Sequence, residues 1–479
     1  MTLYRDVASQ LQQQIDSGIY SCGEKLPGVR RLSVSMGVSV STVVQAQRLL
    51  EDSGTLLAKP RSGYYVAQQA VPSAAPPQRS DSARAPLPVS TADLMFHLGQ
   101  LSQQSEFVQM GFAIPHGDFL PLRALQRSLN KMVRHFDPAL ANYADPSGNP
   151  QLRAHISRRM WRSGADVPSD QILVTSGAQE ALTLALKLTT APGDIVAIES
   201  PTYYGVLQVI ESLGLRAIEI ATDPQRGISV AALEMALKKW PIKACVLIPN
   251  CHNPLGCTLD DEAKQQLVEL AYRHDTYLIE DDIYGELQWS ERRPLSLMSL
   301  DSRRERTLYY SSFSKTVSAG LRVGWLCLPV ALQRSAERAK QVLNLSSNTL
   351  GQAALADYLA TGGYDRHLRQ VTSRYAEQVQ RFTRAVLQYF PVDTRVTQPV
   401  GGYVLWVELA QQVDTLALSQ RLFQFEITIA PGKLFSLSDH YNNCLRLNCA
   451  QPWSAKLEHS LALIGREIAL LGEEIRDKQ

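Results

Sequence analysis

Between Leu308 and Trp325 the chain reads Leu-Tyr-Tyr-Ser-Ser-Phe-Ser-Lys-Thr-Val-Ser-Ala-Gly-Leu-Arg-Val-Gly-Trp. Ser311, Ser312, Ser314, Lys315 and Arg322 fall within twelve positions of one another. Hydroxyls, backbone N–H groups and a guanidinium fork suit a phosphate. A lysine that can shed its proton suits an aldehyde. The common cofactor that is both phosphate and aldehyde is pyridoxal 5′-phosphate (PLP). A solvated loop lysine is the ordinary alternative for such a stretch, so its meaning depends on what the rest of the chain places beside it.

Further polar sets recur at a regular place. Strands are expected over residues 171–174, 194–198, 244–248, 276–279 and 306–310, alternating with helices, and the chain resumes as strand from Arg322. Each of the first five is followed by a polar cluster: Thr175-Ser-Gly-Ala-Gln179, Pro201-Thr-Tyr203, Asn250 to Gly256, Glu280-Asp-Asp-Ile-Tyr284, and the loop of Lys315. In an open parallel sheet, ligands bind beyond the carboxyl ends of the strands. Taken singly, these clusters read as helix starts, turns and strand-end caps. Together they converge on one rim.

This set resembles the fold-type I, aspartate-aminotransferase-like PLP enzymes over residues 93–479. The resemblance implies an α/β domain with large and small subdomains, PLP as cofactor, and a role for each matching residue. Lys315 would be the Schiff-base lysine, and Asp281 the partner of the pyridine nitrogen. Tyr284 and Asn253 would bond the ring's phenolate oxygen, and Tyr203 would stack on the ring. Ser176, Gly177, Ala178, Ser312, Ser314 and Arg322 would hold the phosphate. Tyr143 would reach the phosphate of a neighbouring subunit, which implies a homodimer. Arg446 would pair with the α-carboxylate of an amino acid.

The first 69 residues have another character. Tyr4, Val7, Ala8, Leu11 and Ile15 keep helical spacing, a short helix is expected over Val29 to Met36, and Ser39 caps a third that runs to Ser53. Short strands over 56–59 and 64–66 flank Pro60-Arg-Ser-Gly63. This order is that of a winged helix-turn-helix, with a three-helix protein-interaction module as the plainer alternative. Residues 1–69 hold seven Lys/Arg and five Asp/Glu, so contact with a phosphate backbone has to come from a local cluster: Arg30, Arg31, Lys59 and Arg61. The spacing from Leu26-Pro27 through Arg30-Arg-Leu32 and Gly37-Val-Ser-Val-Ser-Thr-Val43 to Ser62-Gly-Tyr64 resembles GntR-type regulators. That family carries arginine where this chain has Val40. Base edges would then be read by Ser41, Thr42 or Gln45, with Arg48 further along the helix and the capping Ser39 also at the DNA-binding face.

Between these parts, residues 70–90 contain five Pro, five Ala and four Ser, expected as a coil linker with polyproline II bias. The organisation is therefore a DNA-binding α+β module over 1–69, a linker over 70–90 and an aminotransferase-like unit over 91–479. It resembles the MocR subfamily of bacterial regulators, which implies a transcription regulator that binds double-stranded operator DNA and senses an amine, an amino acid or PLP itself. A catalytically active class I/II aminotransferase carrying a DNA module is the alternative.

The whole chain sets wider bounds. Its 479 residues exceed one core, and a net charge of +2 provides no global field for nucleic acid. Seven scattered cysteines read as free thiols in a reducing cytoplasm, without metal spacing. No signal peptide or membrane span is expected.

Overall fold

A computed structural model of the chain describes residues 3–16, 19–20, 23–52, 54–59, 62–67, 75–89, 107–135 and 142–476. The chain divides into two compact units, Met1–Ser73 and Ala74–Gln479.

The smaller unit has helices α1 (Leu3–Asp16), α2 (Val29–Met36) and α3 (Val40–Asp52), then an antiparallel hairpin of β1 (Leu56–Lys59) and β2 (Gly63–Val66). Its core is Val7, Leu11, Leu26, Leu32, Val43, Ala46, Leu50, Leu56 and Val66. Gly37 ends α2 in the left-handed conformation at φ 66°, which a residue without Cβ adopts at little cost. The Ser39 hydroxyl accepts the Thr42 N–H at 3.1 Å and caps α3. Ser41, Gln45 and Arg48, at i, i+4 and i+7, are exposed on one face of α3, while Val43, Ala46 and Leu50 bury the other.

The larger unit is built on a nine-stranded sheet in the order β3-β7-β6-β9-β10-β11-β12-β5, with β8 (Gly227–Ile228) paired to β7. Here β3 is Leu87–Pro88, β5 Ile172–Thr175, β6 Ile195–Ser200, β7 Arg216–Asp223, β9 Ile242–Leu247, β10 Tyr277–Asp281, β11 Thr307–Ser312 and β12 Gly324–Cys327. β7, β6, β9, β10 and β11 pair in parallel. β12 runs antiparallel between β11 and β5. The strands are apolar on both faces, as a sheet covered by helices on each side requires, and three core clusters pack around them. A strand was expected from Arg322, but Arg322 stands at φ 53° and closes a turn, and β12 begins at Gly324.

A smaller antiparallel sheet follows in the order β13 (Arg395–Val396), β14 (Val404–Glu408), β17 (Cys444–Asn448) and β16 (Ala430–Pro431). Its core joins Leu405, Val407, Leu445 and Leu447 to the C-terminal half of the long helix Gly363–Tyr389 and to the last helix, Ala455–Arg476. A short parallel pair, β4 (Val108–Gln109) with β15 (Ile427–Thr428), adjoins it.

The described part of the Pro/Ala/Ser segment is coil, as expected, apart from Leu87–Pro88, but it is anchored along its length. Residues 75–89 lie along the larger unit as a strap. Val396 N–H donates to Ala75 O at 3.3 Å, and Gln78 N–H to Glu408 Oε2 at 2.7 Å. The Ser80 hydroxyl donates to Ser200 O at 2.7 Å and accepts from Thr222 N–H at 2.8 Å. The Ser82 hydroxyl accepts from Ala221 N–H at 2.9 Å. Leu87 and Pro88 then pair antiparallel with β7, and Val89 is buried. Proline needs no donor on an edge strand, and serine hydroxyls substitute for backbone bonds. A composition too poor for a core is therefore well suited to covering the outer edge of β7.

Among the described residues no helix is long and apolar enough to cross a membrane. The described cysteines are free and buried.

Candidate functional site

The carboxyl ends of β5, β6, β9, β10 and β11 share one rim because these strands run the same way. A cavity of about 230 Å³ opens there, and its wall includes Ala178, Gln179, Tyr203, Asn253, Asp281, Tyr284, Ser314, Lys315 and Arg322.

Lys315 follows β11 in a tight turn. Its Nζ donates to Ala113 O at 2.8 Å, a carbonyl that Tyr403 Oη also bonds at 3.0 Å. Burial first, then the nearby Arg446 charge, pushes the Lys315 amine down to about 8, against the pull of Asp281. The neutral amine is therefore far more accessible near neutral pH than that of an ordinary lysine, as carbonyl chemistry requires.

Asp281 ends β10 and faces the cavity. It accepts from Tyr310 Oη at 2.8 Å and from Ile283 N–H at 3.0 Å. Burial pushes its carboxyl up to about 6, although both hydrogen bonds favour the charged form. A cationic ring nitrogen is the partner such a carboxylate lacks. The adjacent Asp282 is already matched, to Arg293 at 2.7 Å, Tyr309 Oη at 2.8 Å and Asn250 Nδ2 at 3.0 Å. Two neighbouring acids thus have opposite surroundings.

Two further features favour a ring with an oxygen substituent and a phosphate. Among the described residues the Tyr284 hydroxyl, buried in the cavity wall, has only the neighbouring Tyr403 hydroxyl near it, so a ligand oxygen could complete its hydrogen bonding. Gly177 has φ 92°, and a Cβ there would collide with Arg322 Nη2, so glycine lets the guanidinium lie against the backbone. The helix Ala178–Thr189 begins beside it, and its first N–H groups favour an anion. These residues fit PLP: an amine for the aldehyde, a carboxylate for the ring nitrogen, hydrogen-bonding groups for the ring oxygen and a cationic, N–H-rich cradle for the phosphate.

Not every expected residue faces the cavity. The Ser176 hydroxyl is directed to Asn344 at 3.2 Å and Ser347 at 3.4 Å, and its N–H is taken by Glu180. Ser312 lies one step back, its hydroxyl accepting from Ser314 N–H at 3.2 Å. Ser176 and Ser312 therefore do not line the cavity. Tyr143 is 81% exposed and is not part of the wall. Arg446, on β17, is fully buried. It donates to Asn253 Oδ1 at 3.1 Å and Gly111 O at 2.5 Å, while its Nε has no partner among the described residues. Gln179 lines the wall and was missed. Residues 175–179 were read as a cluster, although the first helical positions after Gly177 are Ala178 and Gln179. The arch Phe112–Ile114 was also missed, since no periodic pattern marks it.

In the smaller unit, Arg30, Arg31, Ser39, Ser41, Gln45, Arg48 and Lys59 are exposed, and Thr42 is half-buried. Lys59 Nζ sits 4.3 Å from the Tyr65 ring centroid. Arg61 lies outside the described residues.

Two family models match the chain: "Aminotransferase class I and II" over residues 110–464 and "Bacterial regulatory proteins, gntR family" over residues 3–66. YjiR of Escherichia coli K12, described as an uncharacterized HTH-type transcriptional regulator, is 40% identical over 98% of this chain and 99% of its own. Among solved structures, the multiple substrate aminotransferase of Thermococcus profundus covers 79% of this chain and 95% of its own, at 25% identity and a TM-score of 0.73. The α-aminoadipate aminotransferase LysN of Thermus thermophilus, solved with N-(5′-phosphopyridoxyl)-L-leucine, covers 80% and 99%, at 27% identity and a TM-score of 0.71.

Proposed function

Because the chain belongs to the GntR-type bacterial regulators that carry a class I and II aminotransferase domain, the MocR subfamily, we propose that it controls transcription in the cytoplasm through a DNA head and an amine-sensing unit. The carrying observation is Lys315, a buried amine held on a main-chain carbonyl in a cavity that fits PLP, within the same chain as a helix-turn-helix. PLP, when bound, supplies an aldehyde for amines and an electron-withdrawing cationic ring. Lys315 holds it until an incoming amine competes. Asp281 balances the ring's charge, Tyr203 covers a face, and Arg446 provides the fork for an α-carboxylate. Ser41, Gln45 and Arg48 face DNA bases, and Arg30, Arg31 and Lys59 face its phosphates.

Effector binding can shift the heads only by its differential affinity for two arrangements, and a coupling of roughly 1–3 kcal/mol changes DNA affinity about 5–150-fold. The test is DNA binding by the holoprotein with and without candidate amino acids, alongside keto-acid release. An unchanged DNA affinity and footprint in all conditions, with sustained keto-acid release, would favour the alternative of an aminotransferase with an attached DNA module. The residues around Lys315 that line the cavity support that second reading equally.

Tyr143 bears on assembly. Its exposure and its absence from the cavity wall support the reading that it serves a second copy in a homodimer. Light scattering should then report a dimer at micromolar concentration. Tyr143→Phe should weaken PLP binding about 10- to 150-fold without dissociating the dimer, the cost of one hydrogen bond to a charged group.

A further inference from the structure

We propose that Tyr364 and His367 are positioning residues for Lys315, acting through the residue that follows it. This rests on the reading of Lys315 as the cofactor's lysine. Thr316 is 2% exposed. Its hydroxyl donates to Tyr364 Oη at 2.8 Å, and its carbonyl accepts from His367 Nε2 at 2.9 Å. Burial pushes the His367 imidazole down, so the ring is neutral with its proton on Nε2, as a bond to a carbonyl demands. The turn itself is closed on Phe313 O, which accepts from Val317 N–H at 2.8 Å and Ser318 N–H at 3.1 Å. The Thr316 bonds are therefore an attachment of the lysine turn to another element.

That element is the first turn of the helix Gly363–Tyr389, and it is held firmly. Tyr364 donates to Glu286 Oε2 at 2.7 Å. Arg159 binds Glu286 at 2.6 Å and Asp365 at 2.9 Å, and its guanidinium carbon lies 4.3 Å from the Tyr364 ring centroid. The helix is 27 residues long. Its N-terminal half packs in the core below the cavity through Tyr364, Leu368, Val371 and Tyr375. Its C-terminal half, through Val379, Phe382 and Val386, packs in the core that includes Leu445 and Leu447, the neighbours of Arg446. One rigid rod thus joins the residue beside the lysine to the strand of the carboxylate partner.

The experiment uses full-length protein reconstituted with PLP. Tyr364→Phe and His367→Leu should each release PLP about tenfold faster on dilution, the scale of one buried hydrogen bond. Both should also raise the pH midpoint of the visible absorbance change by about half a unit, because a loosened lysine nitrogen regains water and the charged form gains. His367→Gln, whose amide can still donate to the carbonyl, should return both values toward wild type. Wild-type release and midpoint in Tyr364→Phe and His367→Leu would overturn the proposal, as would equal defects in His367→Leu and His367→Gln. Failure of the Lys315 reading is separate: wild-type protein would then show no borohydride-trapped PLP at that residue.

Discussion

Lys315→Ala protein is expected to bind PLP with no borohydride-reducible bond and to lose it at least about 100-fold faster than wild type. The remaining wall still offers Asp281, Asn253, Ser314 and Arg322, so weak non-covalent binding persists. The substitution should not unfold the protein, since the Ala113 carbonyl keeps the Tyr403 hydroxyl at 3.0 Å. Borohydride fixing PLP to another lysine of the mutant would refute the assignment. The pH dependence follows from the same amine. Its folded value lies below that of an ordinary lysine, at about 8, so the neutral, reactive form grows as pH rises toward that value and saturates above it. Capture of PLP by the apoprotein should therefore accelerate from pH 6 to about 8 and then level off. A rise continuing to pH 10 would mean that burial does not tune this lysine.

Arg446→Ala should weaken binding of leucine by the holoprotein about 30- to 5000-fold, the loss from truncating one partner of a buried charge pair, roughly 2–5 kcal/mol. Isoamylamine, which is leucine without its carboxylate, should bind wild type and mutant almost alike. Comparable losses for both probes would show that the substitution disturbs the cavity rather than a carboxylate contact. Such disturbance is a real alternative, because Arg446 is fully buried and its guanidinium carbon lies 5.1 Å from the Phe435 ring centroid. PLP retention and thermal midpoint, measured together, separate the two outcomes. Arg446→Lys should recover little, since an ammonium cannot reproduce a planar two-pronged fork.

What was legible in the sequence was the chemistry at strand ends. Lys315, Asp281, Asn253 and Tyr284 stand just beyond apolar runs, and a parallel sheet brings those ends together whatever the helices between them do. What was not legible depended on side-chain direction or distant partners. Ser176 sits in the expected cluster, yet Asn344 and Ser347, about 170 residues on in the chain, draw its hydroxyl away from the cavity. The Ala113 carbonyl that holds Lys315 is 202 positions away, and no local pattern announces it. The helices and hairpin of the smaller unit followed their apolar periods and glycine stops closely, with α2 over the expected residues. The strap's coil was indicated by composition, but its anchoring was not. Its serines and prolines match an edge whose donors and acceptors are already in place on β7.

That strap also acts as a ruler. Only residues 68–74 lie between the end of the described hairpin unit at Ala67 and the first strap residue, Ala75. A free coil of 21 residues would have a root-mean-square span of about 25 Å, and the fifteen anchored residues 75–89 are withdrawn from any such coil. Should the heads of two copies bind paired half-sites, residues inserted between the hairpin and the strap are expected to widen the spacing tolerated, whereas the anchored stretch adds nothing to it.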